Sequence, residues 1–156
     1  MVYYKYRLYF NKDALMQVMP PEEYRAFLLE RPRTAKLATV RADGRPHVAP
    51  IWFDLDGDML VFTTWHTTVK AANLRHEPRV CLCIDDDTPP FAFVIIEGTA
   101  AVSEDAAELR RWAGSIAGRY MGSDQADAYG SRNGVPGELL VRVTPTHVVA
   151  KTKISD

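Results

Sequence analysis

The stretch Leu60–Pro78, LVFTTWHTTVKAANLRHEP, reads as a strand, a hydroxyl-rich turn and a short basic helix. Leu60–Thr64 is apolar and β-prone. Thr63, Thr64, Thr67 and Thr68 then cluster, and Val69–Arg75 has helical character, with Lys70 in its first turn and Pro78 beyond its end. The start of a helix leaves backbone N–H groups unpaired and carries a positive partial charge. Threonine hydroxyls and one ammonium beside such a terminus make a phosphate cradle. The plainer reading of the same residues is capping by Thr67 or Thr68 with a solvated Lys70.

Working outward, the chain alternates in short segments. Pro20–Glu30 predicts a helix, opened by Pro20 or Pro21, with Glu22 and Glu23 at its positive end and a Tyr24, Phe27, Leu28 stripe. Thr34–Arg41, Pro46–Phe53 and Met59–Thr64 predict three strands of an antiparallel meander, with turns at Ala42–Arg45 and Leu55–Asp58. Arg79–Ile84 and the long Phe91–Val102 predict two more, with Gly98 marking a bulge or a close approach. Ser103 is the expected cap of a helix carrying Leu109, Trp112, Ile116 and Tyr120 through about Met121. A short helix at Asp124–Arg132 and two strands, Glu138–Val143 and Thr146–Lys153, bent at Pro145, complete the pattern. The fold class is therefore α+β: a small antiparallel six- to seven-stranded barrel with two or three peripheral helices. Such a barrel fills its interior with side chains, so a flat cofactor would lie outside it, in a groove at a subunit interface.

Residues 19–156 read as one domain. Residues 1–18, with Tyr4, Tyr6, Leu8 and Phe10 alternating, read either as an added edge strand or as a leader.

The 156 residues carry 19 Lys and Arg against 20 Asp and Glu, interleaved, which excludes a basic nucleic-acid-binding stripe. No apolar run approaches the roughly 20 residues of a membrane helix, and no signal-like segment is visible, so the cytoplasm is the expected location. Cys81 and Cys83 are expected as buried thiols, and the histidines lack metal-ligand spacing. Asp85, Asp86 and Asp87 read as a solvated loop rather than a calcium site.

Taken in order, RTAKLATVRADGRPHVAPIWF (Arg33–Phe53), LVFTTWHTTVKAANLRHEPRVCLCID (Leu60–Asp85) and FVIIEGTAAV (Phe93–Val102) resemble the FMN-binding split-barrel superfamily, which contains pyridoxamine 5′-phosphate oxidase. GRYMG (Gly118–Gly122) and RNGVPGELLVRVTPTHVV (Arg132–Val149) fit its coenzyme F-420-dependent flavin/deazaflavin oxidoreductase branch. The resemblance spans about Met19–Ile154. It implies a homodimer with a flavin or deazaflavin in each interfacial groove. By position it assigns Ala49, Pro50, Ile51, Trp52 and Phe53 to backbone along the ring, Thr63 and Thr64 to the ribityl side, and Thr68 and Lys70 to the phosphate. Trp65, with His66, borders the groove. Departures are informative: Val69-Lys70 stands where the oxidase usually has Arg-Lys, and a lysine near Asp54 and a glutamine near Phe93 are missing. These losses argue against pyridoxine-phosphate oxidase activity and, more mildly, against tight FMN binding.

The resulting expectation is an F-420-dependent oxidoreductase that passes hydride to an electron-poor acceptor such as an enone, a quinone-like ring or a tetrapyrrole bridge. The alternatives are an FMN-binding oxidoreductase of the same fold and a non-catalytic protein that binds a flavin, deazaflavin or haem. Arg33, Lys36, Arg41, Arg45 and Arg75 could supply a field for the acidic tail of the deazaflavin. No catalytic triad is visible; His66 and Tyr129 are the candidate proton donors. The loops Asp85–Phe91 and Met121–Pro136 are candidates to shape the acceptor pocket.

Overall fold

The computed structural model of the chain describes residues 16–155. The alternating stretch Tyr4–Phe10 lies outside the described residues. Thirteen elements follow in order: β1 (Gln17–Val18), α1 (Pro21–Glu30), β2 (Ala35–Val40), β3 (Pro46–Ile51), β4 (Asp54–Asp56), β5 (Met59–Trp65), α2 (Val69–His76), β6 (Arg79–Asp86), β7 (Ala92–Ser103), α3 (Ala106–Met121), a 3-10 turn (Ser123–Gln125), α4 (Ala126–Asn133) and β8 (Glu138–Thr152). None of the described helices is long and apolar enough to cross a membrane.

All eight strands form one antiparallel sheet in the order β3-β2-β6-β7-β8-β5-β4, with β1 added alongside β8. The expected α+β split barrel is present, with the short β1 and β4 raising the strand count. The expected three-strand meander is not. β2 and β3 form one hairpin and β4 and β5 another, but the two lie at opposite ends of the sheet. Phe53 explains the break: it sits fully buried between the hairpins and turns the chain through the core instead of continuing the ladder.

Period-two burial makes the core. Leu37, Leu82, Ile84, Val94, Val141 and Val143 point inward around Phe53, Leu60 and Phe62. Val61 points the other way but is equally buried, because α3 covers that side with Leu109 and Trp112. β5 is thus closed on both faces. Cys81 and Cys83 do share a face, as i, i+2 spacing demands, but it is the outer one and they are half-buried; Val80, Leu82 and Ile84 take the inward positions.

Glu138–Thr152 forms one continuous strand, not two. The irregularity beside Pro145 is a bulge on β8: Glu97 pairs with His147 and Gly98 with Pro145, which leaves Thr146 as the extra residue. Gly98 is required there: a Cβ would lie 2.6 Å from the carbonyl oxygen of Thr144. Asp105, rather than Ser103, caps α3, accepting from the Glu108 amide at 2.8 Å, while Ser103, two residues earlier, accepts from the Asp105 amide. The cap moved because the β7 ladder runs through Ser103 and holds it extended.

The open seam between β3 and β4 is laced by the end of α3. Tyr120 Oη donates to the Arg33 carbonyl at 2.6 Å and accepts from the Phe53 amide at 3.3 Å. Arg119 donates to the carbonyls of Phe53, Leu28 and Arg31.

Candidate functional site

β5 ends at Trp65, and the chain then turns into α2. Thr68 occupies the N-cap with an extended backbone; its hydroxyl accepts from the Ala71 amide at 3.3 Å and donates to the Trp65 carbonyl at 2.9 Å. Thr64, almost fully buried, lies 3.0 Å from it, oxygen to oxygen. Both hydroxyls therefore shape the corner. Thr63 and Lys70, half-buried, and the exposed Thr67 are the groups that remain to meet a ligand. α2 is held in place by Asn73, a buried amide that donates to Thr39 on β2 at 2.9 Å.

Glu138 completes this corner and was not among the residues picked from the sequence. The indole of Trp65 lies over Gly137, whose φ of +99° and lack of a side chain permit the contact: a Cβ there would be 2.6 Å from the ring. The His66 amide donates to the Gly137 carbonyl at 2.9 Å. With the loop pinned this way, β8 begins with Glu138 directly opposite Trp65 and diagonal to Thr63. Burial pushes the Glu138 carboxyl above the usual range, opposed by a hydrogen bond from Thr63 and by the charge of Lys70. Burial also lowers the Lys70 ammonium, opposed by Glu138. The two groups are near enough to feel each other, yet desolvation outweighs their attraction in both.

The wall assigned to a ring lies on β3, an edge strand that pairs with β2 alone, so its other row of backbone groups is left open. Ala49 and Pro50 face outward to different degrees, whereas the side chains of Ile51 and Phe53 belong to the core and leave only their backbone available. Trp52 is 40% exposed and stacks on Tyr120, with centroids 4.8 Å apart and planes 9° from parallel. α2 packs against both β2 and β3, which brings the phosphate corner and the ring wall to one side of the barrel. A flat tricyclic ring and a phosphate fit this donor set: aromatic surface and an open backbone edge at one end, hydroxyls and one ammonium at the other. A groove of about 500 Å3 lies elsewhere, on the outer sheet face beside Ala38, Val40, Cys81 and Gly98.

Most of the cations expected to form a field are committed within the chain. Arg33 is buried against Phe27 and bonded to Glu30 and Asp86; Lys36 meets Asp85 at 2.5 Å; Arg45 pairs with Asp43. Only Arg75 reaches the corner, donating to the His66 carbonyl at 3.1 Å. Asp86, expected in a solvated loop, is instead part of β6; hydrogen bonds from Thr88, Arg31 and Arg33 hold its carboxyl far below the usual range. Among the described residues no cluster suited to a metal ion occurs. His66 borders the corner, its ring 5.0 Å from that of Trp65. Tyr129 does not: it lies on α4, which packs on α3.

The family description for pyridoxamine 5′-phosphate oxidase matches residues 20–151. The fold is shared with a conserved hypothetical protein, Rv2991, from Mycobacterium tuberculosis, at a TM-score of 0.78 and 28% identity over 87% of this chain and 86% of that one. An F-420 reductase is similar at 30% identity over 79% of this chain and 94% of its own, with a TM-score of 0.59. An FAD-binding protein from Mesorhizobium loti shares the fold at 18% identity, with a TM-score of 0.65 over 88% of this chain and 96% of that one. A family match through almost the whole described chain, on a split barrel of this topology, means that the chain belongs to the pyridoxamine 5′-phosphate oxidase family, whose fold binds flavins.

Proposed function

We propose that this protein is an oxidoreductase that binds coenzyme F-420 across a dimer interface and passes hydride to an electron-poor small molecule. The observation that carries the reading is the corner where β5 gives way to α2: a half-buried ammonium at a capped helix start, on the same side of the barrel as an aromatic, backbone-open ring wall. The F-420 reductase at 30% identity supports the deazaflavin over other flavins. So does Val69, which leaves Lys70 without an adjacent cation for a doubly charged phosphate.

When bound, the reduced deazaflavin supplies the hydride. The chain supplies position. Lys70 and Thr63 hold the anionic and polyol end, the β3 edge lies along the ring, and the Trp52 and Trp65 rings keep water from its flanks. His66, at the rim, is the group able to deliver a proton to a reduced acceptor.

A second copy of the chain is the partner we infer. The candidate residues form no enclosed cavity among the described residues, whereas the neighbouring outer sheet face is rich in uncovered apolar groups, with Val48 65% exposed. Docking a twin there would convert the open ring wall into a slot.

Titration with F-420 and with FMN tests the reading. Saturable binding of F-420 by a dimer is the expected result, and absence of saturable quenching with either cofactor would end it. A yellow preparation that releases FMN on denaturation would replace F-420 by FMN. Lys70→Ala should weaken F-420 binding by about 1–3 kcal/mol, the range for a charged hydrogen bond, and leave the phosphate-free deazaflavin alcohol unaffected.

A further inference from the structure

We propose that Glu138 makes the phosphate corner selective for a singly charged phosphodiester over a doubly charged phosphomonoester. This rests on the reading of the corner as a phosphate cradle and adds to it a reason for its choice of ligand.

The inference begins with the charges that share the corner. Thr63, Lys70 and Glu138 come from β5, α2 and β8, and the contact of Trp65 with Gly137 fixes the start of β8 against the turn. Lys70 and Glu138 are half-buried and opposite in sign. Arg75 is exposed, so water screens its charge. The half-buried part of the corner is therefore close to neutral before a ligand enters.

A neutral pair treats the two phosphate classes differently. A phosphomonoester carries about −1.5 to −2 charges at pH 7, a diester one. The cost of taking an ion out of water grows with the square of its charge, so the dianion loses far more on entry. An uncompensated lysine would offset that loss; a lysine at the start of α2, sharing its corner with a half-buried carboxylate opposite Trp65, does so only in part. Removing the carboxylate alone should restore one full positive charge and favour the dianion by about twice as much as the monoanion.

The experiment uses three ligands with one ring: the 8-hydroxy-5-deazaflavin alcohol, its 5′-phosphomonoester and its 5′-methyl phosphodiester. Each is titrated by fluorescence against the full chain and against Glu138→Gln and Glu138→Ala, with circular dichroism to verify folding. The wild type should bind the diester at least as tightly as the monoester. Both variants should bind the monoester about tenfold more tightly and the diester about threefold, with the alcohol unchanged. A monoester-to-diester ratio that stays the same in wild type and variants, while Lys70→Ala still weakens both esters, overturns the assignment of Glu138 and leaves the cradle standing. If Lys70→Ala weakens neither ester, or no ligand saturates, the cradle itself falls and this inference with it.

Discussion

The seam between β3 and β4 and the corner between β5 and α2 are both built from charged side chains brought together across long stretches of sequence, and they are built to opposite ends. At the seam, Arg119 is only 12% exposed, lies over the Phe53 ring and donates to the Phe53 carbonyl that the broken ladder leaves open and to the Leu28 and Arg31 carbonyls at the end of α1. Tyr120 serves two more backbone groups there. Both terminal nitrogens of the guanidinium find carbonyl partners, with Nε alone left buried and unpaired, and the result is closure of the barrel. At the corner, Lys70 and Glu138 are each shifted toward their neutral forms by burial. Their mutual attraction does not repay their loss of water. One region spends its charges on the fold; the other leaves them half-buried, as the proposed ligand cradle requires.

Breaking the seam should have the largest effect. Arg119→Ala strips partners from the Phe53, Leu28 and Arg31 carbonyls, and guanidinium denaturation should register a loss of about 3 kcal/mol. Arg119→Lys should recover little of it, because an ammonium cannot reproduce the planar fork. At the corner, Thr68→Ala removes the cap of α2 and should cost about 1 kcal/mol of stability by the same measurement. It should weaken F-420 binding less than Lys70→Ala does, since the hydroxyl is already engaged in the turn. The smallest effect sharpens the contrast by its sign. Glu138→Gln should stabilise the ligand-free protein by roughly 0.5 kcal/mol at neutral pH. The raised carboxyl of Glu138, faced by Lys70 and Thr63, binds its proton more tightly folded than unfolded. Its share of stability is therefore complete at acidic pH and declines as pH rises from the ordinary glutamate range through its folded value. Urea titrations of wild type and Glu138→Gln between pH 4 and pH 8 should diverge in that window, with the variant gaining as pH rises.

How much of this could be read in advance differs between the two regions for physical reasons. Strands such as Ala35–Val40 and Arg79–Asp86 were legible because burial on one face imposes alternation on the sequence itself. Thr68 and Lys70 were legible because a cap and a first-turn cation are local features. Glu138 was not: a glutamate after Pro136-Gly137 looks like any solvated charge until the β5–β8 register sets it beside Thr63. The GRYMG segment was recognisable by resemblance, but its chemical task was hidden, since the carbonyls that Arg119 and Tyr120 serve lie on α1, on the segment following it and on the bridge between two hairpins. The meander failed as an expectation because neighbours in sequence usually pair in space, and buried Phe53 overrides that tendency. The field of arginines failed for the complementary reason: Arg33 and Lys36 meet Asp86 and Asp85 only after β2 and β6 align.

β8 has an implication for how the protein is made. It pairs with β1, β5 and β7, and over Leu140–Val143 both of its edges are taken. Every one of those partners precedes it along the chain. A nascent polypeptide emerging from the ribosome therefore carries the rims of β5 and β7 bare until Glu138–Thr152 has been translated, and bare rims recruit other chains. β8 acts as a clasp fastened last, so conditions that slow its synthesis should favour inclusion bodies over native protein.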